Sequence, residues 1–198
     1  MLLEDIGACR VCAAYLAHEP RPVLRASVTA RLLIVGQAPG RRVHETGIPW
    51  NDPSGDLLRQ WLQLSRERFY DVSRIAIAPA GFCYPGTDKG GDLPPRPECA
   101  PLWHPRLRAL LPEIRLVLLV GRYAQAYDLG VGKERVADTV RAYAHHLQRG
   151  FFPLPHPSPR NRLWLKRNAW FEDEVLAVLR AQVRSLFADP QGAPIQAR

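Results

Sequence analysis

The sequence predicts an α/β protein, a three-layer α/β/α domain on a short, mostly parallel, four-stranded central sheet. Two observations carry this. Four short apolar runs, at Leu32–Val35, 74–78, Leu116–Val120 and Phe151–Leu154, alternate with segments whose apolar residues recur at helical spacing. Strands separated by helices imply a parallel sheet covered on both faces.

Each element has its own signal. The run Leu32–Val35 stops at Gly36-Gln37-Ala38-Pro39-Gly40 and continues through Arg41-Arg42-Val43-His44-Glu45-Thr46-Gly47-Ile48-Pro49-Trp50. That pattern is a buried strand emptying into a rigid loop, where glycine admits close approach of a ligand and Pro39 fixes a torsion. Ser54 is placed to cap a helix carrying Leu57, Leu58, Trp61 and Leu62 at helical spacing. Residues 74–78 form the second apolar run. Residues 81–97, rich in glycine and proline, read as a long loop, which a compact domain tolerates only if something such as a metal ties it down. A helix over 100–111 ends at Pro112. Leu116–Val120 is the clearest buried strand, and Gly121 turns it into a helix through Tyr123, Ala124 and Tyr127. A helix over 131–147, the strand Phe151–Leu154 and an amphipathic helix over 170–187 complete the domain. Residues 1–187 thus read as one domain and 188–198 as a disordered tail.

Composition narrows the partners. With 198 residues and 46% apolar content, the chain can bury one substantial core. The net charge is +8, and only three of the 27 basic residues are lysines, Lys89, Lys133 and Lys166. Arginine suits bidentate phosphate contacts, which favours a polyanionic partner, although a genome that writes arginine for lysine would give the same bias. No basic N-terminal region precedes an apolar stretch, and no 18 apolar residues run together. A soluble, cytoplasmic monomer with no membrane attachment is expected.

The cysteines form a set. Cys9 and Cys12 make a Cys-x-x-Cys knuckle, while fifteen residues separate Cys83 from Cys99. Four thiols complete a closed metal site, so the choices are structural zinc, an iron-sulfur cluster, or thiols without metal.

In a parallel sheet, ligands bind beyond the carboxyl ends of the strands, so the loops after Val35 and Leu154 should meet. The second of these loops reads His156-Pro157-Ser158-Pro159-Arg160-Asn161-Arg162. His156, proline-locked after a strand, is the natural counterpart of the glycine loop. His18, His104, His145 and His146 lack that context and are expected to be solvated.

Residues 36–40, then Thr46-Gly47-Ile48-Pro49-Trp50, then His156-Pro157-Ser158-Pro159 resemble the signature loops of the uracil-DNA glycosylase superfamily. With the cysteine spacing added, the chain is most similar to its iron-sulfur members, family four, over roughly residues 5–187. The resemblance implies a 4Fe-4S cluster on Cys9, Cys12, Cys83 and Cys99, with zinc as the other occupant. It implies that the enzyme flips a damaged nucleotide out of DNA, because the glycosidic bond is out of reach inside the stack. Trp50 would stack on the base where relatives usually have phenylalanine. His156 would donate to the base oxygen that gains charge, and backbone groups at Gly36 and Ala38 would line the pocket. Ser158, Arg160, Asn161 and Arg162 would contact DNA.

The departures matter as much. Many relatives orient the water with Asp or Asn where this chain has Ala38. Gln37 stands where family four has glutamate, and Val43-His44 stand where it often has an acidic pair. Water activation is therefore expected from Gln37, His44 or Glu45. The asparagine that reads the uracil edge, four residues before the third cysteine, is Pro79 here, leaving Asn51 or the backbone around Ala80 as substitutes.

The leading function is excision of uracil or another deaminated base from DNA. An alternative is a glycosylase-fold protein that binds damaged or single-stranded DNA without turnover, covalently in one form. A hydrolase or transferase of small nucleotides is the third reading, and the chain has no Gly-x-x-x-x-Gly-Lys-Ser/Thr run to support it.

Overall fold

The computed structural model describes residues 2–89 and 91–188. The chain begins with α1 (Leu2–Gly7) and a short 3-10 turn (Ala13–Tyr15), then enters β1 (Leu32–Val35). Three helices follow, α2 (Arg41–Thr46), α3 (Pro53–Leu62) and α4 (Arg66–Phe69), before β2 (Ile75–Ile77). A two-residue hairpin, β3 (Thr87–Asp88) and β4 (Gly91–Asp92), interrupts the proline-rich loop ahead of α5 (Cys99–Ala109). Next come β5 (Leu116–Val120), α6 (Arg122–Leu129), α7 (Val136–Arg141), α8 (Tyr143–Leu147) and β6 (Phe151–Leu154). The chain closes with α9 (Arg162–Arg167), a π turn (Phe171–Val175) and α10 (Leu176–Ala188).

The expected sheet is present. Its order is β2-β1-β5-β6 and every pairing is parallel, with Leu32 opposite both Ile75 and Leu116, and Val117 opposite Phe151. The two middle strands, β1 and β5, are buried along their whole length. Alternate residues therefore feed two cores. Leu32, Ile34, Leu118 and Val120 pack with Leu58, Trp61 and Leu179 on one face. Leu33, Val35, Val117 and Leu119 pack with Ile6, Phe82, Trp103 and Leu107 on the other. Pro153 sits inside β6, and β6 is an edge strand, where a missing ladder donor is tolerated.

Several local expectations differ from the structure. Asp52, not Ser54, caps α3: its carboxylate accepts from Gly55 N–H at 2.8 Å, and Pro53 takes the first helical position, where no N–H is required. The helix expected over 131–147 is instead α7 and α8. Gly130, at φ 71°, ends α6, Arg135 bonds Asp138 at the start of α7, and a turn at Ala142 lets Tyr143 stack on Phe152. Ala188, placed in the tail by the sequence, continues α10, and the rest of that tail lies outside the described residues. His104 is 1% exposed rather than solvated. Among the described residues, no helix is long and apolar enough to cross a membrane.

Candidate active site

The loops after β1 and β6 meet, as the parallel sheet requires. They enclose a cavity of about 280 Å³ lined by Gly36, Gln37, Ala38 and Gly40 from the first loop, Trp50 beyond it, and His156, Ser158 and Arg160 from the second. The β2 end contributes Ile77 and Pro79, and the β3–β4 hairpin contributes Thr87, Gly91 and Asp92.

Trp50 is held in an unusual conformation. Its φ is +57°, in the left-handed region that disfavours a bulky side chain by roughly 1–2 kcal/mol. Three neighbours compensate. Arg59 Nη1 donates to the Trp50 carbonyl at 3.2 Å, Tyr70 Oη donates to the Pro49 carbonyl at 2.8 Å, and Gly55 leaves room for the Trp50 carbonyl. Arg59 is itself buried, paired with Asp56 at 2.6 Å and stacked against Phe69 and Tyr70. The indole lies over Gly36, where a Cβ would come within 2.8 Å of it, and its ring centroid is 5.7 Å from that of His156.

His156 is positioned by its own loop. Asn161 Nδ2 donates to the His156 carbonyl at 2.8 Å, and Gly121, at φ +84°, packs against the His156 side chain. Burial pushes the imidazole pKa below its ordinary value, opposed by the carboxylate of Asp52. The ring is therefore a neutral hydrogen-bond donor at physiological pH.

The remaining expected residues divide. Gln37 reaches the cavity, but its Nε2 donates to the Leu93 carbonyl at 3.2 Å and braces the hairpin. His44 does not line the cavity. Val43 does, and the next residue on a helix is rotated by about 100°, so His44 faces His18 and Tyr84 with ring centroids 5.6 and 5.7 Å away. Glu45 is exposed, and its carbonyl takes Arg21 Nη1 at 2.8 Å. Asn51 Oδ1 accepts from Arg66 at 2.9 Å, outside the cavity. Ala80 is buried, and its N–H donates to the Gly36 carbonyl at 2.9 Å, so it has no donor to offer a base. Asn161 supports the loop, and Arg162 is exposed at the start of α9.

Two carboxylates that sequence reasoning missed enter the cavity, Asp52 and Asp92. Asp52 had a signal, two residues beyond Trp50 and directly before Pro53. Asp92 had none, because only the hairpin carries it there. Burial raises the Asp92 carboxyl pKa, the Arg160 guanidinium lowers it, and Asp52 adds a smaller upward push.

All four cysteines line a second, small cavity with Phe82, Leu102 and Trp103. None is in a disulfide. Phe82 N–H donates to Cys99 Sγ at 3.3 Å, and the Arg21 backbone bonds Cys83. Burial pushes Cys83 up to about 11 and Cys99 up to about 12. Among the described residues, no three His, Cys, Asp or Glu side chains converge on a point that would hold a single metal ion.

The fold and the cavity define a parallel α/β protein with its main loop cavity beyond the carboxyl ends of the strands, where such sheets place their ligands. The family model of the uracil DNA glycosylase superfamily matches residues 25–180, a stretch that includes every strand and both cavity loops. The chain belongs to that superfamily. The matched stretch contains Cys83 and Cys99 but begins after Cys9 and Cys12.

Proposed function

We propose that the protein is a DNA glycosylase that hydrolyses the N-glycosidic bond of uracil or another deaminated base flipped out of DNA. The observation that carries this is the convergence of Trp50, His156 and Asp52 on one base-sized cavity at the carboxyl end of the sheet. Stacking on Trp50 would hold the base, an interaction worth about 1–3 kcal/mol. The neutral His156 imidazole donates to the base oxygen on which charge grows as the bond breaks, an effect of roughly 3 kcal/mol when water is excluded. Asp52 supplies what Ala38 lacks. One of its oxygens is fixed by Gly55 N–H, and the other orients a water whose oxygen attacks the sugar carbon while its proton passes to the carboxylate. Ser158 and Arg162 suit phosphate contacts beside the cavity.

We further propose a 4Fe-4S cluster on Cys9, Cys12, Cys83 and Cys99. The donor set fits: four thiols around one apolar cavity, two of them receiving backbone N–H groups. The cluster would tie the N-terminal segment and the 81–97 loop to α5. Freshly purified protein should show a broad brown absorption shoulder that Cys99→Ala abolishes. A colourless protein containing stoichiometric zinc would refute it.

The activity is tested with oligonucleotides carrying uracil, hypoxanthine or xanthine, treated with alkali after incubation. Strand cleavage is expected for at least one, reduced about 10²–10³-fold in His156→Ala. No cleavage on any base would refute the proposal. A shifted band without released base would support the binding reading that Ala38 raised.

A further inference from the structure

A third cavity, of about 280 Å³, opens at the amino end of the sheet. Arg115 and Leu116 enter it where β5 begins, Leu147 closes it from the end of α8, and α10 supplies Gln182, Ser185 and Leu186. β5 is five residues long, so roughly 15 Å of strand separates this cavity from the one that Trp50 and His156 wall.

Arg115 lacks the partner that its burial calls for. Its side chain is 14% exposed, and its Nε is fully buried with no hydrogen-bond partner among the described residues. The Glu113 carboxylate stands 3.9 Å from Nη2, beyond hydrogen-bond range, and is half-exposed. Arg59 and Arg108 show how the same chain treats other largely buried guanidinium groups: each bonds a carboxylate at 2.6 Å. A desolvated guanidinium without such a partner is costly, so a cavity that keeps one points to an anion that completes it.

The donors around the cavity narrow the anion. The Nε–Nη edge of a guanidinium grips two oxygens in one plane. The Gln182 amide and the Ser185 hydroxyl, neither bonded to another described residue, offer donors for a third oxygen. A carboxylate has only two oxygens, whereas a phosphate monoester has three at its terminus. Leu116, Leu147 and Leu186 wall the rest of the space, which exceeds what a phosphate group alone would fill and suits an organic body. We propose that this cavity binds a small phosphate monoester, with Arg115, Ser185 and Gln182 on the phosphate and the three leucines against the organic part. The proposal is independent of the glycosylase reading, because Ser158 and Arg160 lie at the opposite end of the sheet.

The test is calorimetric titration of the whole protein, at constant ionic strength, with phenyl phosphate, inorganic phosphate and phenol. The wild type should bind phenyl phosphate more tightly than inorganic phosphate and should not bind phenol. Arg115→Met should weaken phenyl phosphate binding at least about tenfold. Ser185→Ala, at an exposed helix position where the fold is not at risk, should weaken it about three- to tenfold. Arg160→Ala should bind as the wild type does, which separates this cavity from the one at the carboxyl end. No binding of phenyl phosphate by the wild type, full binding in Arg115→Met or in Ser185→Ala, or its loss in Arg160→Ala would each overturn the proposal. Equal affinity for inorganic phosphate would overturn the assignment of a monoester.

Discussion

Gly55→Ala tests whether the Trp50 loop is held as tightly as its geometry implies. A Cβ at position 55 would stand 2.7 Å from the Trp50 carbonyl carbon and closer still to its oxygen. Two effects compete. Replacing glycine by alanine within a helix favours folding by up to about 1 kcal/mol. Against it, overpacking costs about 1–3 kcal/mol, and the overlap here is with backbone rather than a flexible side-chain tip. The carbonyl also cannot retreat without losing the Arg59 bond, a charged interaction worth about 1.5–3 kcal/mol. The overlap wins. Net destabilisation of about 2–4 kcal/mol is expected, lowering the melting temperature by roughly 5–15 °C for a domain of this size. Gly7→Ala is the internal control, because a Cβ there meets nothing within 4 Å and should leave the melting temperature unchanged or higher. Thermal unfolding of the three proteins decides the matter. A Gly55→Ala protein that melts at or above the wild type would show that the loop is not held this way.

Other consequences follow from single contacts. Tyr70→Phe removes the donor to the half-enclosed Pro49 carbonyl and should cost about 1–2 kcal/mol in denaturant unfolding. If Trp50 is the stacking residue, base release should fall in this variant more than duplex affinity does. His104 is held neutral: burial lowers its pKa from 6.5 to about 4. The unfolded chain therefore binds the extra proton between those values, and stability present above pH 6.5 is lost as pH falls toward 4. The loss is on the order of 3 kcal/mol and should be absent from a matched pH series of His104→Gln. A slope unchanged by the substitution would mean that other groups produce it. Arg162→Ala should weaken duplex binding on every sequence and reduce the slope of log affinity against log salt by about one, whereas an unchanged slope would remove Arg162 from the phosphate contacts.

The parallel sheet was readable because its strands are buried on both faces. Leu32–Val35 and Leu116–Val120 are unbroken apolar runs, and such runs leave few alternatives. The meeting of the glycine loop with His156 was also readable, since parallel strands deliver both loops to the same edge. His44 and His104 were not. His44 neighbours Val43 in sequence but is turned out of the cavity by the helical rotation, and His104 is buried by the packing of α5 against Phe82 and Pro79. Asp52 shows an intermediate case, because the spacing that makes it a helix cap also brings it beside His156.

The sequence alone determined the fold class and the two loops that form the cavity, because local patterning and chain connectivity dictate both. Tertiary structure decided which polar groups face the cavity. Gln37 was drawn into bracing the hairpin, Asn51 into holding Arg66, and Asp92 was carried in from a loop far along the chain. Each outcome depends on where a side chain points and on what else claims its hydrogen bonds. Those are properties of packed neighbours rather than of sequence spacing.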